Sequence, residues 1–175
     1  MTVSFHATTL HALRPLDRER LLLLTLPPRH PGDQSVFKRM LLEPMAHAFY
    51  FSTIVLVAVE EHDREPAATQ WLGWTVAWWR PGERVARVGV FVAEHRRRER
   101  WGQDLVRRLK LATEALGMKL RANATSDAGA RLFEKLGVEN DARHCPCGAL
   151  AVAGYSDRAP RCAKCWTDEA LDQPG

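Results

Sequence analysis

The chain has 175 residues, 46% of them apolar and 26% charged, with a formal net charge of +4. That balance is ordinary for a soluble globular protein, the length allows one full core, and the positive charge favours anionic partners without choosing among them. No run of about eighteen uncharged apolar residues exists and the N-terminus lacks a basic-then-apolar signal pattern, which argues against membrane insertion or export and makes the cytoplasm the expected location.

In chain order, residues 10–14 read as a first strand and 16–26 as a first helix, closed by Pro27 and Pro28. After a loop, 36–47 reads as a second helix that Pro44 interrupts. Residues 49–60 are rich in β-branched and aromatic types and form a strand, followed by a polar turn from Glu60 to Pro66. The Trp-rich stretch 71–79 is the next strand, joined through the tight link Pro81-Gly82 to a strand ending at Val92. Its tryptophans offer a stacking platform for a planar acceptor, but core and sheet-face packing is the commoner use of such residues. No internal repeat or low-complexity segment is present.

The most informative junction comes next. The apolar strand runs into Arg96, Arg97, Arg98 and Arg100, and an amphipathic helix opens at Trp101-Gly102-Gln103. The first turn of a helix leaves N–H groups unpaired and carries partial positive charge, so arginines beside it suit a phosphate. A pyrophosphate-bearing cofactor is the natural guest. Residues 117–123 then form a short strand, and 125–137 a capped helix that stops at Gly137.

Strand, Arg-x-x-x-x-Gly turn, helix, strand, and a helix ending Arg131-Leu-Phe-Glu-Lys-Leu-Gly-Val resemble the GNAT superfamily of acyl-CoA-dependent N-acetyltransferases. The resemblance covers residues 71–138 and is most specific at 131–138. It implies a mixed α/β (α+β sheet) GNAT-like acyltransferase domain over 1–140. It also implies acetyl-CoA, or another acyl-CoA, as cofactor and an unidentified amine as acceptor. Backbone groups of Val90 and Val92 would pair with the pantetheine arm, and Arg97, Arg98, Arg100, Trp101, Gly102 and Gln103 would hold the phosphates.

Three positions depart from the family pattern. Arg100 stands where the first Gly of the turn usually lies, and its side chain either crowds the cofactor or replaces a backbone contact with a charged one. Phe133 stands where most members carry a Tyr able to protonate the leaving thiolate, which Phe cannot do. The strand before the turn has no central carboxylate to deprotonate the amine. Glu60, Glu83 and His95 are the candidate bases, and each is also a common kind of solvated surface residue. Ser126 matches a position facing the acceptor in the family and equally suits a helix cap. Acceptor specificity is expected in residues 46–52, with His47 and Tyr50.

The last part of the chain turns to cysteine. His144-Cys145-Pro-Cys147 and Cys162-Ala-Lys-Cys165 contain all four cysteines. In a cytoplasmic chain this spacing reads as a metal site rather than disulfides, and four thiolates suit a closed structural zinc. Cys145-x-Cys147 is one residue short of a regular knuckle, so His144 is the alternative fourth ligand. Residues 141–175 are therefore expected to form a zinc-ribbon-like extension that either completes the fold or recognises a partner. Two further functions stay open: modification of a DNA or RNA base by the same fold, drawn from the charge, the ribbon and the Trp-rich strand, and a non-catalytic module that binds nucleic acid or protein. Oligomeric state is not legible.

Overall fold

The computed structural model describes residues 2–25, 41–42, 45, 50–61, 69–97, 99–124, 126–149, 151, 162 and 165. The second helix expected at 36–47 lies outside these apart from Leu41, Leu42 and Met45, which are helical. The chain forms two compact units, Met1–Leu120 and Arg121–Gly175.

The first unit is built on antiparallel strands. β1 (Thr2–Thr8) pairs with β2 (Ser52–Glu61), β2 with β3 (Gln70–Trp79), and β3 with β4 (Val85–Val92). Two helices complete it, α1 (Pro15–Thr25) and α2 (Trp101–Ala115). The β3–β4 link is a type II turn: the Glu83 N–H donates to the Arg80 carbonyl (3.0 Å), Pro81 sits at its second position, and Gly82 takes the required φ of 88°.

Strand alternation sorts the core into two faces. Val55, Val57, Val59, Trp74 and Val76 pack with Leu10, Leu21 and Leu41 on one of them. A register shift between Ala58 and Val59 lets Leu72 stand unpaired in β3, and this bulge returns Trp71 to the Trp74 side. The opposite face meets α2, whose Leu105, Val106, Leu109 and Thr113 recur at helical spacing and are buried. Gly73 is required there: a Cβ would lie 2.6 Å from the Phe91 carbonyl oxygen and 3.3 Å from Leu105 Cδ1. Trp74 serves packing, being fully buried and stacked on Phe91 with ring centroids 5.1 Å apart, and Trp71 and Trp78 pack against the same cluster.

The sequence reading misplaced the first strand. Residues 10–12 form a single 3-10 turn that buries Leu10, and the strand lies earlier. Val3, Phe5 and Ala7 alternate with polar residues there, and pairing with β2 supplies the stability that so short a pattern lacks alone. The polar turn after β2 also begins later than expected, because Glu60 and Glu61 still pair with Val3 and Thr2.

The second unit holds the end of β5 (Lys119–Ala122), α3 (Asp127–Lys135) and β6 (Glu139–Asn140), which pairs parallel to β5. Ser126 caps α3 by accepting from the Gly129 N–H at 3.2 Å, and Gly137 follows the helix with φ of 61°. β6 was not foreseen; two residues are too few for any periodicity to show.

Candidate active site and metal centre

β4 delivers the chain to the phosphate-type turn. Its register sets Val90 opposite Thr75 and Val92 opposite Gly73. The Thr75 hydroxyl donates to the Gly89 carbonyl at 2.7 Å inside the sheet, which holds this stretch of backbone in place. After Ala93, whose N–H donates to the Leu72 carbonyl, the chain makes a 3-10 turn over Glu94–Arg96 and enters α2.

Arg100 is the N-cap of α2, and its φ of 65° and ψ of 2° place it in the left-handed region. It is the one non-glycine with positive φ among the described residues. The position that carries Gly in the resembling family thus keeps the conformation that favours Gly, at a cost of about 1 kcal/mol for an L-residue. Its carbonyl accepts from the Asp104 N–H (3.1 Å), and its own side chain makes no capping bond. Exposed Arg97 and Arg100 flank the first-turn N–H groups, Gly102 among them. That donor set suits an anion. Arg97 Nε also reaches the Val92 carbonyl (3.5 Å), Trp101 is half-buried and donates to Glu99 (3.0 Å), and Gln103 is half-buried. Arg98 lies outside the described residues.

The candidate bases occupy different settings. Glu60 is buried, at 7% exposure, and its carboxylate accepts from Arg96 Nη2 at 3.0 Å. Arg96 Nε lies 3.0 Å from Glu99, so one guanidinium ties the end of β2 to the turn. A carboxylate engaged in this way organises the turn. Glu83 is exposed and accepts from the Arg80 N–H (3.2 Å), closing the type II turn. His95 is exposed on the 3-10 turn. Ser126 is exposed with its oxygen engaged in the cap, and Phe133 is buried with no proton to give. Tyr50 is exposed beside Phe51, Arg80 and Pro81, which line an open depression of about 470 Å³; residues 46–49 lie outside the described set. Sequence reasoning did not single out Arg96 as Glu60's partner or Glu99 at all. Residues 36 positions apart carry no local signal of pairing.

In the second unit the four cysteines converge. The sulfur atoms of Cys145, Cys147, Cys162 and Cys165 all lie within 4.8 Å of one another, and His144 is outside the group. Four thiolates bound tetrahedrally at ~2.3 Å from one ion stand roughly 3.8 Å apart, so the donors fit a single soft cation. Cys147 and Cys162 sulfurs stand 3.6 Å apart. The Cys145 N–H donates to the Ala149 carbonyl and the Gly148 N–H to the Cys145 carbonyl, with Gly148 at φ of 90°, so a tight turn presents the first pair. The Cys165 N–H points at Cys162 sulfur (3.5 Å) in the second pair. Backbone hydrogen bonds from Cys147 and Cys162 bring the Cys145 thiol down to about 6, whereas hydrogen bonding of its thiol to the Cys162, Cys145 and Cys147 sulfurs pushes Cys165 up to about 12. Successive negative charges at one point repel, and a bound cation is what relieves this.

No family model matches the chain, and no curated protein matches it. Solved structures do. One from Salmonella typhimurium, described as an acetyltransferase and solved with its cofactor acetyl-CoA, aligns at 16% identity over 91% of this chain and 90% of its own, with a TM-score of 0.58. A proposed acetyltransferase of the GNAT family from Desulfovibrio desulfuricans aligns at 19% identity over 77% and 83%, with a TM-score of 0.54. An aminoglycoside acetyltransferase from an uncultured soil metagenomic sample, solved in complex with sisomicin, aligns at 13% identity over 87% and 93%, also at 0.54. Among the described residues no helix is long and apolar enough to cross a membrane. The mixed α/β architecture, the strand–turn–helix at its centre and these likenesses agree: the chain has the fold of the GNAT acetyltransferases.

Proposed function

We propose that the chain is an acyl-CoA-dependent N-acyltransferase. One observation carries the reading: β4 passes through a turn held by Glu60 and Arg96 into a helix whose first turn is flanked by Arg97 and Arg100. The first-turn N–H groups of Gly102 and Gln103 would take the pyrophosphate, and Arg97 and Arg100 would add charge-assisted contacts. Val90 and Val92 would offer backbone groups to the pantetheine arm. β5 has four residues against eight in β4 and starts beside Arg84, where the Lys119 N–H donates to its carbonyl. That start lies at the far end of β4 from Val90 and Val92, which supports their backbone groups as the ones offered.

Acyl-CoA supplies an activated thioester; what this chain supplies is alignment and polarisation. Those two effects account for much of the acceleration of acyl transfer. Proton handling falls to water or an exposed group such as His95, since Phe133 has no hydroxyl and Glu60 is engaged. The acceptor is an amine. The solved relatives include a spermidine acetyltransferase chimera, a glucosamine-6-phosphate acetyltransferase and the aminoglycoside enzyme. Polyamines, amino sugars and aminoglycosides are therefore the first acceptors to test. Incubation with acetyl-CoA and each amine, read by mass spectrometry of the product, should show acetylation of at least one; no product with any amine, despite bound acetyl-CoA, would favour a binding module instead.

For the second unit we propose one structural zinc held by Cys145, Cys147, Cys162 and Cys165, with residues 141–175 as a metal-stabilised extension. The convergence of four sulfur donors supports it.

A further inference from the structure

Resting on the zinc reading above, we infer that the metal fixes the loop before α3 through the two-residue strand β6. Four contacts join residues 139–141 to residues 121–124. The Asp141 N–H donates to the Ala122 carbonyl at 2.8 Å, and the Ala124 N–H donates to Asn140 Oδ1 at 3.0 Å. Arg121 donates to both oxygens of Glu139 at 2.8 and 3.0 Å, and its Nε lies 3.6 Å from Asp141. Asn140 thus satisfies a backbone donor of the loop that leads into the Ser126 cap.

A strand of two residues has little stability of its own. Upstream it is anchored by buried Val138, whose N–H donates to the Phe133 carbonyl at 2.9 Å. Downstream the first buried anchor is Cys145, four positions beyond Asp141. The Arg143 carbonyl accepts from Ala151 (2.8 Å) and Cys145 brackets the tight turn, so this anchor is the metal knuckle itself. Thiols are weak hydrogen-bond partners, and four of them around one point hold together only through a shared cation. Without it the downstream end of β6 is released, and Asn140 with it.

The test uses the full chain purified under reducing conditions, with zinc content and amide hydrogen exchange read before and after chelation. Zinc at about one per chain is expected. Stripping it should speed exchange at Ala124 and Asp141 roughly tenfold or more, reversibly on adding zinc, while Val57 and Val76 in the first unit stay unchanged. Asn140→Ala should keep its zinc and lose protection at Ala124 alone, which separates the clasp from general unfolding. Bound zinc with no change at Ala124 and Asp141 on its removal would overturn the clasp and leave the zinc site standing. Failure to take up zinc at all would overturn both, and metal content alone would reveal it.

Discussion

The two units are stabilised by different means. Met1–Leu120 contains every large side chain that is fully buried among the described residues, including Trp74, Leu21, Leu72, Leu105 and Leu109. Arg121–Gly175 buries mainly small groups there, Ala122, Ala124, Val138, Cys145, Ala151 and Cys162, with Phe133 its one large exception. Hydrophobic burial scales with apolar area, so the first unit can stand on its core. Where the described residues bury so little apolar area, a staple can supply what packing does not, and the convergent cysteines are able to provide one.

The sharpest way to break this contrast is to remove a thiol. Cys162→Ser should abolish zinc binding, worth on the order of 10 kcal/mol in small structural sites, and loosen the second unit while β2 and β3 keep their protection. Metal analysis and hydrogen exchange check it. Equal loss of protection in both units would show a single cooperative body. The reciprocal change is Trp74→Ala, which should cost about 3–5 kcal/mol of the first unit's stability in urea denaturation without altering zinc content.

Smaller effects probe the turn. Arg97→Ala should weaken acetyl-CoA binding roughly tenfold, the scale of one charge-assisted contact, with stability almost unchanged. Arg100→Gly should raise stability by about 0.5–1 kcal/mol, because Gly adopts the left-handed conformation freely but is more flexible when unfolded. The same variant should lower acetyl-CoA affinity; unchanged affinity in calorimetry would show that the guanidinium points away from the phosphates.

What the sequence disclosed follows the range of the forces involved. β2, β3, β4, α2 and α3 were readable because their periodicity and punctuation are local, as with Pro81-Gly82 and the Ser126 cap. β1 was legible in the alternation of Val3, Phe5 and Ala7, but the apolar residues near Leu10 drew the assignment instead. The cysteine cluster was visible from spacing; that Cys145 joins it and His144 does not depends on a tight turn whose geometry no spacing specifies. The pairing of Glu60 with Arg96, and its consequence for Glu60 as a base, arises only when β2 and the turn meet in space. Arg100 shows the opposite case: its departure from the Gly of the resembling family was plain, yet only the backbone reveals that the position adopts the left-handed conformation.

Calorimetric titration of the full chain with acetyl-CoA, beside a dephospho analogue, tests the central claim most directly. Micromolar binding that Arg97→Ala weakens is the predicted result, and it would establish the β4–α2 turn as the cofactor site. No binding at millimolar acetyl-CoA would contradict it and leave the fold without its expected donor.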